Sequence, residues 1–260
     1  VLERFVMNKC YKTGHYGALM KASARIPEAR EFISLYDMSL SVSENAECAL
    51  NGRWYGNASP SVCRELTRFF YERFVVYHGH LEVLKRFLFN CEDASLSVLN
   101  HFYMVLRDPY YRWAASQWLP HRLEMGLTDV PRESFEQDAR VILSNGLSPK
   151  TMTRYCRNIL TALRDNCYLG GKSTKSISSP SLNASSLAFM LFTAKELGEG
   201  FNSFDGSPLF YSLLKPRSML VPLFREGENR GWWEFTGDNS YIKGSFKLKN
   251  LEAFLEEVVV

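Results

Sequence analysis

Residues Leu147 to Gly170 read LSPKTMTRYCRNILTALRDNCYLG, one amphipathic helix by pattern. Ser148 and Pro149 open it as N-cap and first helical residue. A serine oxygen accepts a free first-turn N–H, and proline lacks a donor that would have no partner there. At about 100° per residue, Lys150, Arg154, Arg157, Thr161 and Arg164 fall on one narrow stripe of the predicted helix. Met152, Cys156, Ile159, Leu160, Leu163 and Cys167 fall on the opposite side. One face is therefore apolar and the other almost purely cationic, with Asp165 the only acid in the stretch. A solvated helix usually mixes signs, because Glu and Lys four residues apart support each other. An unopposed row of arginines repels itself, and phosphates relieve that repulsion through arginine's planar fork of donors. The competing reading is a surface helix that the charges merely keep in solution.

Immediately upstream, PRESFEQDARVILSNG places Phe135, Ala139, Ile142 and Leu143 at helical spacing and ends at Asn145-Gly146, a C-cap pair. Helix, short glycine turn, helix is the helix-turn-helix outline. Downstream, CYLGGKSTKSISSPSL is rich in Gly and Ser and suits a short hairpin, a wing in that position, carrying Lys172 and Lys175. From Lys150 to Lys175 there are six cations against one acid. A fainter copy of the design is SPSVCRELTRFFYERFVVYHG, which starts at Ser59-Pro60 and stops at Gly79. Its apolar face is Val62, Leu66, Phe69, Phe70 and Tyr77; Arg64 and Arg68 point away from it, diluted by Glu65 and Glu72.

Other helical patterns fill the first two thirds. SARIPEAREFISLYD puts Ile26, Ala29, Ile33 and Tyr36 on one face; HLEVLKRFLFN and ASLSVLNHFYMVLRD follow, the latter closed by Pro109. YRWAASQWLPHRLEMG reads as a shorter, interrupted pair. Near the end, GWWEFTGDNSYIKGSFKL reads as two strands around a Gly-Asp-Asn turn, with Trp232 and Trp233 on opposite faces, one of them buried and base stacking by the other the lesser reading. NLEAFLEEVVV fits a helix or a strand. The expected fold is mainly α: a helical bundle with helix-turn-helix or winged-helix-like elements and minor β in the C-terminal part. A boundary near Gly126 to Pro131 divides an N-terminal helical domain, 1–128, from a C-terminal helix-turn-helix or winged-like domain with a small β element, 129–260.

The chain's 260 residues suffice for a substantial core, and 46% hydrophobic with 23% charged residues is ordinary for a globular protein. A net charge of +3 is too small for a surface basic throughout, so any polyanion site must be a local patch. The six cysteines form no C-x-x-C pair and are expected to be reduced, mostly buried thiols. VLERFVMNKCYKTG lacks the uninterrupted apolar run of a signal peptide. SLAFMLFTA is about half of the ~20 residues a spanning helix needs. A cytoplasmic protein without membrane contact is the expectation.

Catalytic patterns are missing. GGKST resembles the end of a phosphate-binding P-loop, but the required first glycine is Asn166, and a helix rather than a strand precedes it. The histidines of HGH, His78 and His80, have no third metal ligand nearby in sequence. No Gly-x-Ser-x-Gly elbow, His-Glu-x-x-His or Gly-x-Gly-x-x-Gly occurs. The reading is of a non-enzyme without cofactor or bound metal.

The ordered set YGALMKASARIPEAREFISLY, SPSVCRELTRFFYERF and LSPKTMTRYCRNILTALRDNCYL, followed by a polar link and ISSPSL, resembles the BrxA-like accessory proteins of BREX bacteriophage-exclusion systems. The resemblance lies in the order and spacing of elements from Tyr16 to Phe246. It implies a mainly helical cytoplasmic protein of bacterial anti-phage defence that binds double-stranded DNA beside other BREX components and is not itself a catalyst. It also implies that the helix Pro149 to Cys167 is recognition-like, with Lys150, Arg154 and Arg157 as contacts; Arg164, Lys172, Lys175, Arg64 and Arg68 complete the expected DNA-binding set. The modest net charge departs from that pattern. Two other functions fit the same stripe: a scaffold docking on an acidic protein partner, and a helical RNA-binding module.

Overall fold

Ser59 and Ser148 cap helices where the sequence places them. The structure, a computed structural model, describes residues 22–75, 80–91, 95–142, 147–171 and 174–259. Tyr77, His78, Gly79, Leu143, the Asn145-Gly146 cap and Lys172 lie outside the described residues. Helix α1 (Ile26–Leu35) buries Ala29, Phe32 and Ile33. Helix α2 (Val42–Asn51) begins with a capping box in which Ser41 and Glu44 satisfy each other's backbone N–H. Helix α3 (Pro60–Phe70) is capped by Ser59 and buries Cys63, Leu66, Thr67, Phe69 and Phe70. Val62, expected on that face, is 39% exposed, because Cys63 and Thr67 take the inner positions. A π turn (Tyr71–Val75) continues α3 and carries Arg73 into the interior.

After α4 (His80–Asn90) comes α5 (Leu96–Arg107), which is buried on nearly every side and forms the axis of the bundle. Pro109 does more than close α5: it opens α6 (Pro109–Trp113), with Asp108 as N-cap. The expected interrupted pair is one helical path, running through a π turn (Ala114–Trp118) into α7 (Leu119–Glu124). That turn lies just ahead of Pro120, whose missing N–H would leave a gap in a regular α ladder.

The next elements are β1 (Asp129–Val130), α8 (Arg132–Ile142), α9 (Pro149–Asp165), β2 (Leu169–Gly170) and β3 (Lys175–Ile177). They form an antiparallel sheet of order β1-β3-β2, with Val130 opposite Lys175 and Leu169 opposite Ile177. Strand, two helices, then a hairpin whose second strand takes the middle of the sheet is the winged-helix order. At the hairpin turn Gly171 has φ +80°, and a Cβ there would lie 2.0 Å from the Thr174 carbonyl oxygen, so glycine is required. In α8, Phe135 and Ala139 are buried as expected, whereas Ile142 is 40% exposed at the helix end.

Helix α10 (Ala184–Glu196) is buried from Ala184 through Ala194. Among the described residues no helix is long and apolar enough to cross a membrane. Three helices, α11 (Phe201–Phe204), α12 (Pro208–Ser212) and α13 (Arg217–Asn229), lead to the hairpin β4 (Trp233–Gly237) and β5 (Ile242–Phe246). The terminal segment is a helix, α14 (Leu251–Val258), capped by Asn250. The protein is thus mainly α with minor β. Among the described residues, all the buried apolar side chains except Ala46 and Val221 form one continuous cluster from Ala24 to Leu255.

Two expectations are corrected by packing. Neither Trp232 nor Trp233 has a free ring: they are 2% and 0% exposed. Trp232 precedes the strand and packs edge-on against Phe254, while Trp233 fills the space over Gly227. The thiols are not mostly buried either, since Cys63 and Cys156 are buried but Cys48 and Cys167 are exposed; all five described cysteines are free.

A Cβ at Gly227 would come 2.0 Å from the Trp233 ring, which is itself enclosed and hydrogen-bonded through Nε1 to the Phe224 carbonyl. Gly227→Ala is expected to destabilise the protein by about 2–3 kcal/mol in chemical denaturation. Unchanged stability would mean that this ring does not pack there.

Candidate nucleic-acid interface

The cationic helix α9 starts where Ser148 Oγ accepts the Thr151 N–H. Its inner face is Met152, Tyr155, Cys156, Ile159, Leu160, Ala162 and Leu163. Cys167, expected on that face, lies beyond the helix end at φ +67° and is exposed.

Buried hydrogen bonds attach this face to the bundle. The Tyr155 hydroxyl donates to the Asp108 carboxylate, 3.0 Å from Oδ1 and 3.1 Å from Oδ2. Burial pushes the Asp108 carboxyl above its usual range, opposed by the Tyr111 N–H, the Tyr155 hydroxyl, the Tyr110 N–H and the charge of Arg112. At the other end of α9, fully buried Asn166 accepts from Asn100 Nδ2 at 2.8 Å and donates to the Tyr111 hydroxyl at 2.9 Å. Asn100 in turn accepts from Arg73 Nη1 at 2.6 Å. The Arg73 guanidinium also donates to the Ala24 carbonyl at 2.8 Å and lies 4.2 Å from the centre of the Phe69 ring. Burial lowers its pKa to about 9, which leaves it charged at neutral pH.

His101 completes the network. Its Nε2 lies 3.1 Å from the Ser212 carbonyl oxygen, which only accepts, so Nε2 carries the proton. Nδ1 then accepts from the Tyr111 hydroxyl at 2.8 Å. The ring stacks on Tyr168, centroids 3.6 Å apart. Burial presses the His101 pKa from 6.5 to about 3, so the imidazole is neutral in the fold.

The outer face carries the expected cations. Lys150, Arg154, Arg157 and Arg164 are all exposed on one stripe. Lys150, Arg154 and Arg157 have no ion-pair partner among the described residues. Two acids of α8 are engaged elsewhere: Glu136 with Arg132 at 2.6 Å and Thr153 at 3.1 Å, Asp138 with Trp118 Nε1 at 2.8 Å. Arg164 differs, with its guanidinium 3.0 Å from Asp165. Lys175 is half-buried on β3, in the hairpin that follows α9. Arg64 and Arg68 lie apart on the exposed face of α3, and Arg68 is paired with Glu72 at 3.0 Å.

Tyr155, Asn166, Asp108 and Arg73 were not singled out as functional from sequence. Tyr155 shares the 3.6-residue spacing of its apolar neighbours, which was the one available signal. Among the described residues no three His, Cys, Asp or Glu side chains come together as metal ligands. No family model matches the chain, and no curated protein matches it.

Two outcomes are expected. Tyr155→Phe removes a donor from a buried carboxylate and should cost about 1–3 kcal/mol of stability, read by denaturant titration; a neutral result would remove this anchor. For His101 the folded pKa lies below the unfolded one, so its contribution is complete above pH 6.5 and is lost as pH falls toward 3. Wild type should therefore lose up to about 1.4 kcal/mol per pH unit more than His101→Gln across that window. Asp108 titrates in both proteins and cancels in the difference. Parallel stability–pH curves would contradict a neutral buried imidazole.

Proposed function

We propose that the chain is a non-enzymatic component of bacterial BREX anti-phage defence that binds duplex DNA through α9 and works in the cytoplasm beside other BREX components. The observation that carries the DNA reading is the triplet Lys150, Arg154 and Arg157: exposed, unpaired among the described residues, and presented by the second helix of a winged helix-turn-helix. Three unpaired cations on one stripe raise each other's electrostatic energy, and a phosphate chain offsets this while releasing its own counterions. Lys172 and Lys175 follow the same helix in sequence. The place in BREX defence rests on the resemblance in order and spacing of the helical segments.

The test is titration of the protein against one duplex at several salt concentrations. About four to six phosphate contacts give a log–log slope of roughly −3.5 to −5.5. Replacing Arg154 and Arg157 together by alanine should flatten it by about 2 while leaving the melting temperature unchanged, because neither side chain enters the core. Unchanged affinity in the folded double variant would return α9 to a solvated surface. Duplex RNA in a parallel arm decides between the nucleic acids, and a slope near zero with both favours an acidic protein partner.

A further inference from the structure

Beside the C-terminal half of the α9 stripe lies a groove of about 570 Å³. One wall is α9, through Asn158, Thr161, Arg164 and Asp165; the other is the chain entering α1, including Arg25 and Glu28. Thr161 and Arg164 belong to the stripe that carries Arg157, so the groove is continuous with the face proposed to meet DNA. We propose that the duplex gripped by α9 runs its phosphodiester backbone along this groove, and that Arg25 is a phosphate contact; this rests on the DNA-binding reading above.

The charges decide whether the groove suits that occupant. Arg25 is 2.9 Å from Glu28, and Arg164 is 3.0 Å from Asp165. Both arginine side chains are nearly half exposed, at 48% and 42%, and exposed pairs of this kind contribute little in water. A guanidinium has five N–H donors and each carboxylate occupies only one edge, so the remaining donors stay available to a phosphate. The stripe and groove together hold Arg25, Lys150, Arg154, Arg157 and Arg164 against Glu28 and Asp165, five cations less two anions, or +3. That equals the net charge of the whole 260-residue chain, concentrated on one surface. Sequence spacing could not join Arg25 to α9, because more than a hundred residues separate them.

The experiment compares Arg25→Gln, Glu28→Gln and Arg30→Gln with wild type and with the Arg154→Ala/Arg157→Ala protein, all on one random-sequence duplex over a range of salt. Arg30 is an exposed arginine of α1 that does not line this groove; it lines an adjoining one, with Glu31 and Trp54, that shares Glu28 with the first. Arg25→Gln should flatten the salt slope by about 0.9, the value for one lost contact, and Arg30→Gln should leave it unchanged. Glu28→Gln, which frees Arg25 from its carboxylate, should tighten binding and serves as the check should Arg25→Gln prove unstable. If Arg25→Gln and Glu28→Gln both match wild type while the double variant is weakened, the groove is outside the interface and the α9 reading stands. If wild type itself shows no salt-dependent binding, both fall.

Discussion

Helix α9 is held to the bundle by hydrogen bonds that water does not reach: the Tyr155 hydroxyl on Asp108, and Asn166 between Asn100 and Tyr111. Such bonds act in a low-dielectric interior, where leaving one partner unpaired is expensive. They are also directional, which apolar packing is not. Leu160 and Leu163 alone would tolerate small rotations of α9 about its axis; Tyr155 near its middle and Asn166 at its end do not. The same network reaches Arg73 on the π turn after α3 and the Ser212 carbonyl at the end of α12. Segments far apart in sequence thus agree on one orientation of α9, and that orientation puts Lys150, Arg154 and Arg157 outward.

Two acids of the neighbouring helix α8 have other partners. Glu136 holds Arg132 and Thr153, and Asp138 holds the Trp118 indole. Among the described residues, Arg164 alone of the stripe's cations has an ion-pair partner, Asp165. The stripe is therefore divided: an N-terminal half without ion pairs among the described residues, and a C-terminal half that opens into the groove where Arg25 and Arg164 are each paired with a carboxylate. Mutual repulsion in the first half is mild, since salt screens exposed charges within about 10 Å. It is nonetheless a cost the fold does not offset from within.

Local signals in the sequence carried much of this. Ser59-Pro60 and Ser148-Pro149 mark their helix starts because a cap acts within one turn, and GWWEFTGDNSYIKGSFKL is legible as a hairpin because its turn chemistry is local. What escaped is non-local. Asn166 stood out only as the residue where a P-loop would need glycine, yet it is the buried anchor of α9. Asp108 looked like the end of a helix and is both the cap of α6 and the acceptor for Tyr155. Alternation misjudged Trp232, which lies outside the strand and packs on Phe254. Nothing in the sequence neighbourhood of Arg25, the N-cap residue of α1, indicates α9 across the groove.

The central claim is that a rigidly held α9 presents its N-terminal half to a polyanion. Hydrogen–deuterium exchange of the free and duplex-bound protein tests it most directly. Protection on binding is expected to concentrate in the segment around Lys150 to Arg157, to extend to the start of α1, and to leave β4–β5 unchanged. Protection confined to β4–β5 or α14, with α9 exchanging as in the free protein, would contradict it.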